Sequence, residues 1–534
     1  MPYGHNFLRI VKKRVPDVCD TILNGDLAHM NFPRSSGILL HPTSLPGAYG
    51  IGELGAEAHA FADFLHDSGQ HIWQVLPLGP TGYGDSPYQC FSAFAGNPML
   101  ISIDRLVERG YLDALDLAGK PTFSTDVVDF GAVIAWKLPL LQKAFKNFRR
   151  GSPDRQEFDA FCKRHASWLD EYALFMAIKD AHELASWTEW EPELALREPA
   201  AVQKAREQFR DDIDCNKFIQ FEFERQWCDL KAHCTRNEIR ILGDMPIYVA
   251  LDSADVWGNR ELFELQEDGK PRVVAGVPPD YFSATGQLWG NPIYSWEYHA
   301  KTGFEWWIAR FRRALEMLDL IRLDHFRGFE AYYEIPAGDV TAVNGAWVKG
   351  PGAPLFEALR NAMGDLPIVA ENLGVITPPV EALRNQFGFP GMAILQFAFG
   401  NDPQAPDFKP HNYHHHLVAY TGTHDNDTVI GWWNSKAGAG SIRTAADVES
   451  EKAYAKRYLN TNGNDINLVM IRTLMASVAD TVLFPLQDVL GVGSEGRMNL
   501  PGSSSGNWRW RFAEGDLHSA ISAQLSEWSK TYER

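Results

Sequence analysis

Apolar residues in this chain follow two alternating rhythms. Short runs that are apolar almost throughout recur at 37–40, 72–76, 239–244, 320–323, 368–370, 392–397, 417–420 and 481–484. Between several of them the apolar positions fall at helical spacing instead. Residues 56–67 place Phe61, Phe64 and Leu65 on one face and stop near Gly69, just before the run at 72. Residues 296–318 do the same with Phe304, Trp307, Ile308, Phe311, Leu315 and Leu318, and lead straight into the run at 320. A strand buried on both faces reads as a continuous apolar run, and alternation with helices implies a parallel sheet. Eight such runs predict an α/β fold, a (β/α)8 TIM barrel. Two gaps are too long for a bare barrel. Residues 98–238 read as mainly helical, including 168–178, and 430–478 form a smaller interruption. Both are expected to be inserted subdomains of one catalytic unit spanning 31–534, with residues 1–30 as an N-terminal extension.

Barrels of this kind carry their chemistry at the C-terminal ends of the strands. Asp244, Asp324, Glu371 and Asp425 all fall there. Arg322 precedes Asp324 by two residues, so both side chains leave the strand on the same side. Glycoside cleavage with retention needs two carboxyls about 5–5.5 Å apart, a nucleophile and an acid that later serves as base. Arg322 would keep Asp324 ionised, as a nucleophile requires. Glu371 follows an apolar run, and partial desolvation would raise its pKa toward that of a general acid. Asp425 could accept hydrogen bonds from sugar hydroxyls and favour ring distortion. A single acid in such a place is more often one half of a salt bridge. Three at matching positions argue for a site.

Charge narrows the partner. Fifty Lys and Arg against 68 Asp and Glu give −18, which counts against nucleic acid or an anionic membrane and suits a neutral substrate. No apolar run reaches membrane-spanning length. Six cysteines without a CxxC pair suggest free thiols in a reducing, cytoplasmic compartment. Histidines 411 and 414–416 cannot all face one ion and lack acids at ligand spacing, so no metal and no cofactor is expected. His325 and His424 each adjoin an acid, and His424 is the one expected to serve the site.

Three loops add candidate sugar contacts. Residues 276–291 form a long stretch with Tyr281, Phe282 and Trp289 between glycines, which reads as a lid. Residues 83–88, including Tyr83, Ser86 and Tyr88, follow the second run. Residues 497–502 and 506–510 follow the eighth and offer amides and indoles.

With these motifs the chain resembles the 4-α-glucanotransferases, the amylomaltases or disproportionating enzymes of glycoside hydrolase family 77. The matching segments are 36–47, 83–88, 243–249, 276–291, 321–328, 370–374, 422–428 and 497–510, in family order over roughly 34–515. The strand-end acids alone would be shared with α-amylases; the loop at 276–291 is the specific signal. The resemblance implies Asp324 as nucleophile, Glu371 as acid/base and Asp425 as transition-state stabiliser. It implies substrate contacts from Tyr83, Ser86, Tyr88, Asp244, Trp289, Arg322, His424 and Asn499, and a lid running from Asp280 to Gln287. The expected reaction is retaining transfer of α-1,4-glucan segments among malto-oligosaccharides or starch-like chains, by a monomer or homodimer. The alternatives are an α-amylase-like hydrolase and a glucan-binding module without turnover.

Overall fold

The structure, a computed structural model, describes residues 32–279, 285–437, 444–503 and 505–534. The expectations placed on residues 1–30, on Asp280, Tyr281 and Phe282, and on the side chain of Tyr83 fall outside that description.

Twelve strands are found among the described residues: β1 (Ser35–Leu39), β2 (Ile72–Gln74), β3 (Arg240–Met245), β4 (Val273–Val277), β5 (Gln287–Pro292), β6 (Leu320–Leu323), β7 (Ala331–Pro336), β8 (Ala346–Lys349), β9 (Ile368–Ala370), β10 (Gly391–Ile394), β11 (Leu417–Tyr420) and β12 (Thr481–Pro485). Eight of them form one parallel sheet in the order β10-β11-β12-β1-β2-β3-β6-β9. These are the eight apolar runs of the sequence. The ring is drawn shut where the Ala370 N–H donates to the Pro390 carbonyl at 2.9 Å. The fold class is therefore a (β/α)8 barrel with many additional helices.

The barrel interior is a separate apolar cluster of Ile72, Leu242, Leu320, Val369, Met392, Ile394, Val418, Tyr420 and Leu483, with Phe32 packed into it. Side chains alternate along each strand, so the residues two positions beyond Leu242 and Leu320 also point inward. Those residues are Asp244 and Arg322, and the register sets them directly opposite each other on neighbouring strands. Gly37 is required where β1 meets β2, because a Cβ there would lie 2.2 Å from the Ile72 carbonyl oxygen.

Between β2 and β3 lie the helices Phe130–Phe148, Arg155–Arg164, Ala166–Ala181, Pro199–Gln208 and Arg210–Arg236. Asp129 caps the first by accepting from the Ala132 N–H at 3.1 Å. That helix buries Lys137, whose ammonium meets Glu53 at 2.5 Å and the Met99 carbonyl at 2.6 Å. The long helix Arg210–Arg236 contacts both Ala166–Ala181 and the barrel-side helix Ala56–Asp67 before the chain enters β3. Among the described residues, three helices, Val429–Asn434, Ala445–Leu459 and Ile466–Met475, lie between β11 and β12.

Three local expectations are corrected. The helical pattern at 296–318 is two helices, Trp296–Lys301 and Glu305–Met317, because Gly303 and Phe304 take left-handed φ of 64° and 60°. The sixth apolar run ends as a strand at Ile394 and turns into a 3-10 segment at Leu395–Phe399. The stretch at 276–291 is not loop throughout: its two ends belong to β4 and β5. These pair in a second, antiparallel sheet of order β5-β4-β7-β8. Pro278 and Pro279 stop β4 after five residues, and its partner β7 lies more than fifty residues away, so local pattern could not reveal the sheet.

Candidate active site

Each acid sits where its strand ends. Asp324 is the residue after β6, and its N–H donates to the Met245 carbonyl at 3.0 Å. Glu371 is the residue after β9, and its N–H donates to the Leu323 carbonyl at 3.1 Å. Asp425 lies in the loop that follows β11. The barrel ladder thus brings strands six and nine, with their acids, side by side.

Arg322 is nearly fully buried between two carboxylates. Its Nη1 donates to Asp244 Oδ2 at 2.6 Å and to Asp324 Oδ1 at 3.0 Å. Burial pulls the guanidinium pKa down, but the two aspartates outweigh it and hold the group well above its ordinary value. Asp244 is pushed up to about 7 by burial, against the opposing pull of Arg322. The Asp324 side chain keeps 26% of its surface exposed, so it is the member of the trio that faces the cleft.

Glu371 is held differently. Its Oε2 accepts from the His325 N–H at 2.8 Å and its Oε1 from the Leu373 N–H at 2.7 Å. Burial nonetheless raises it to about 7, with the Asp324 charge adding to the rise and Arg322 opposing it. His325 takes a left-handed φ of 51°, which turns its N–H toward Glu371. Its ring meets Trp289 edge to face at 4.9 Å. Gln287 accepts the Trp289 indole N–H at 3.1 Å, which helps fix that ring.

The opposite wall is built by Tyr88, His424, Asn499 and Trp508. The Tyr88 hydroxyl lies 2.8 Å from Asp244 Oδ2 and 2.8 Å from His424 Nε2. A phenol has one proton, and a carboxylate oxygen already accepting from Arg322 needs donors, so Tyr88 donates to Asp244. His424 must then carry its proton on Nε2 and donate to the Tyr88 oxygen. The two rings stack at 5.2 Å, and Trp508 tilts against both. Asn499 donates from Nδ2 to Asp425 Oδ1 at 2.6 Å, while Arg497 donates to the Asp425 carbonyl at 2.7 Å. Ser86 stays local: its hydroxyl accepts from the Tyr88 N–H at 3.2 Å and so shapes the turn that presents Tyr88.

The geometry therefore gathers Asp244, Arg322, Asp324, Glu371, Tyr88 and His424 at one end of the barrel, with Asn499 on Asp425 and Trp289 beside His325. Trp508 belongs to the 506–510 segment expected to offer indoles, without a role of its own, and His41 was given no role from the sequence. Trp508 was one tryptophan among 17. His41 follows β1 just as the acids follow their strands, and the same position rule would have found it. It lines a pocket with His424, and burial beside that ring lowers it to about 3, leaving it neutral. The histidine cluster goes elsewhere: His411 contacts the Tyr458 hydroxyl, His415 lies against Asp480 and His416 against the Gly388 carbonyl. Among the described residues no group of three or more His, Cys, Asp or Glu is placed to hold a metal.

A parallel (β/α)8 barrel with carboxyls and a shared arginine at its strand ends is the architecture of a glycoside-acting enzyme. The 4-alpha-glucanotransferase family, glycoside hydrolase family 77, matches residues 40–517. The 4-alpha-glucanotransferase of Thermus thermophilus is 51% identical over 515 residues, covering 95% of this chain and all of that protein. The enzyme of the same name from Synechocystis is 50% identical, covering 94% and 98%. Amylomaltase from Streptococcus agalactiae, solved with acarbose, superposes with a TM-score of 0.89 at 41% identity, over 94% of this chain and 99% of that one. The chain belongs to the 4-alpha-glucanotransferase family.

Proposed function

We propose that this chain transfers α-1,4-glucan segments between malto-oligosaccharides or starch-like glucans by a retaining double displacement. Asp324 attacks the anomeric carbon of a donor while Glu371 protonates the departing O4, so the glycosidic bond breaks as an ester to Asp324 forms. Glu371, now a carboxylate, takes the proton from the 4-hydroxyl of an acceptor. That oxygen bonds to the anomeric carbon as the Asp324 ester breaks. Asp425, steered by Asn499, meets sugar hydroxyls in between, and Tyr88, Asp244, Trp289 and His424 contact the bound glucan. Tyr83, Ser86, Asp280 and Gln287 complete the proposed contacts.

One observation carries the assignment of roles. Burial raises Glu371 most, and the charge of Asp324 adds to the rise. When Asp324 is consumed as an ester that charge disappears, and the Glu371 pKa falls. The residue is thereby an acid before the intermediate and a base after it, as both half-reactions demand. The same logic serves hydrolysis, with water in the acceptor's place; the kinship to glucanotransferases favours transfer.

Residues 31–534 are proposed to act as one catalytic unit in the cytoplasm, with the segments near 98–238 and 430–478 as insertions. Among the described residues no helix is long and apolar enough to cross a membrane. Incubation with maltotriose tests the reading. Glucose plus a ladder of longer products supports transfer, and products that are all shorter than maltotriose overturn it.

A further inference from the structure

The β7–β8 hairpin rises between Asp324 and Glu371 in the chain and stands beside the loop that follows Glu371. Its edge strand β8 is exposed along most of its length, and it carries Trp347, with 40% of its surface open to solvent. An exposed tryptophan on an edge strand is a poor choice for stability alone, since it neither fills the core nor protects the edge.

The indole is nevertheless held firmly. The guanidinium of Arg327 lies 3.7 Å from its ring centre. The Tyr333 ring, its cross-strand partner, meets it edge-on at 5.2 Å. Tyr333 is itself fixed, because its hydroxyl donates to the Ala342 carbonyl at 3.0 Å. Arg327 has a second duty: its Nη1 donates to the Val375 carbonyl. Val375 is four residues past Glu371 and half exposed. One side chain, three residues after Asp324, therefore clamps an exposed indole to the loop that carries the acid/base.

Chemistry says what passes there. An acid/base faces the leaving group first and the incoming hydroxyl second, so surface continuous with its loop borders the acceptor. Pyranose rings present C–H faces that pack on aromatic rings, and a preorganised ring spares the ordering cost of binding. We infer that Trp347, clamped by Arg327, is a specificity-determining platform for the acceptor glucan, contacting a sugar unit beyond the one whose 4-hydroxyl reacts. This rests on the transfer reading above.

The test is acceptor kinetics with amylose as donor and either glucose or maltotriose as acceptor, on Trp347→Ala and Trp347→Phe. Trp347→Ala is expected to raise the KM for maltotriose about tenfold, equivalent to ~1.4 kcal/mol of binding, with kcat changed less than about twofold. Glucose, too short to reach the platform, keeps its KM, and Trp347→Phe recovers most of the maltotriose affinity. An unchanged maltotriose KM in Trp347→Ala overturns the inference. So does an equal loss with both acceptors, or a kcat loss that Phe does not repair. A wild-type enzyme that transfers to neither acceptor refutes the functional reading instead, so the two failures are separate.

Discussion

Arg322 and Asp324 share a strand end, and the single Nη1 that reaches Asp324 also reaches Asp244. One cation thus neutralises two carboxylates, of which one is buried and one faces the cleft. In Arg322→Met that shared charge is gone. Asp244, already raised, becomes neutral through a wider pH range, and Glu371 loses the interaction that holds it down. Transfer activity should fall by roughly two to four orders of magnitude, as for loss of a preorganised charge. The residual activity should extend to higher pH than in the wild type. A pH profile of kcat/KM for disproportionation reads both, and an unshifted alkaline limb would contradict the electrostatic role.

Asp324→Asn keeps the shape and removes the nucleophile. Turnover of maltotriose should drop by about 10⁴-fold or more, while circular dichroism and the melting temperature stay close to wild type. Activity within tenfold of wild type would place the nucleophile elsewhere.

The raised Glu371 sets the alkaline side of the pH dependence. It must be protonated for the first half-reaction, so kcat/KM should decline as pH rises through about 7. Stability follows the same sign. Glu371 and Asp244 each bind a proton in the folded protein at pH values where the unfolded chain has released it. Their contribution is therefore full below the unfolded carboxylate range and diminishes as pH rises toward about 7. Urea unfolding of Glu371→Gln compared with wild type at pH 5 and pH 7.5 measures it; the wild type should lose more stability between the two than the variant.

Lys137 and Glu53 pin the insertion helix Phe130–Phe148 to the loop after β1. Neither is accessible to water to any useful extent. Lys137→Met leaves Glu53 buried without a countercharge, and should cost about 3–5 kcal/mol. Adding Glu53→Gln should return part of that loss. Calorimetry of the single and double variants checks it, and additive losses would show that the pair is not coupled.

The barrel was legible because each of its strands is buried on both faces, which writes an uninterrupted apolar run into the chain. The acids were legible because a charged residue just past such a run is costly unless it is used. The second sheet was not. Strand β8 is exposed along most of its length, with Trp347 on it, and β4 pairs with β7 across a long separation, so neither apolar runs nor strict alternation marks the sheet. The hold on Glu371 was hidden for another reason: both donors are backbone amides, and no side-chain pattern announces them. Asn499 and Trp508 reach the site from beyond β12, where sequence distance from Asp425 and Tyr88 conceals the contact.

That hold on Glu371 bears on how the site can change. Its partners are the amides of His325 and Leu373, and an amide is present whatever residue occupies the position. Substitution at Leu373 leaves its donor intact, except for proline, which removes it; at His325 the same holds for residues that tolerate the left-handed φ of 51°. The orientation of the acid is thereby insulated from ordinary mutation, while the indoles and hydroxyls around it remain free to vary. Variation of this kind can retune which glucan is bound without disturbing the group that moves the proton.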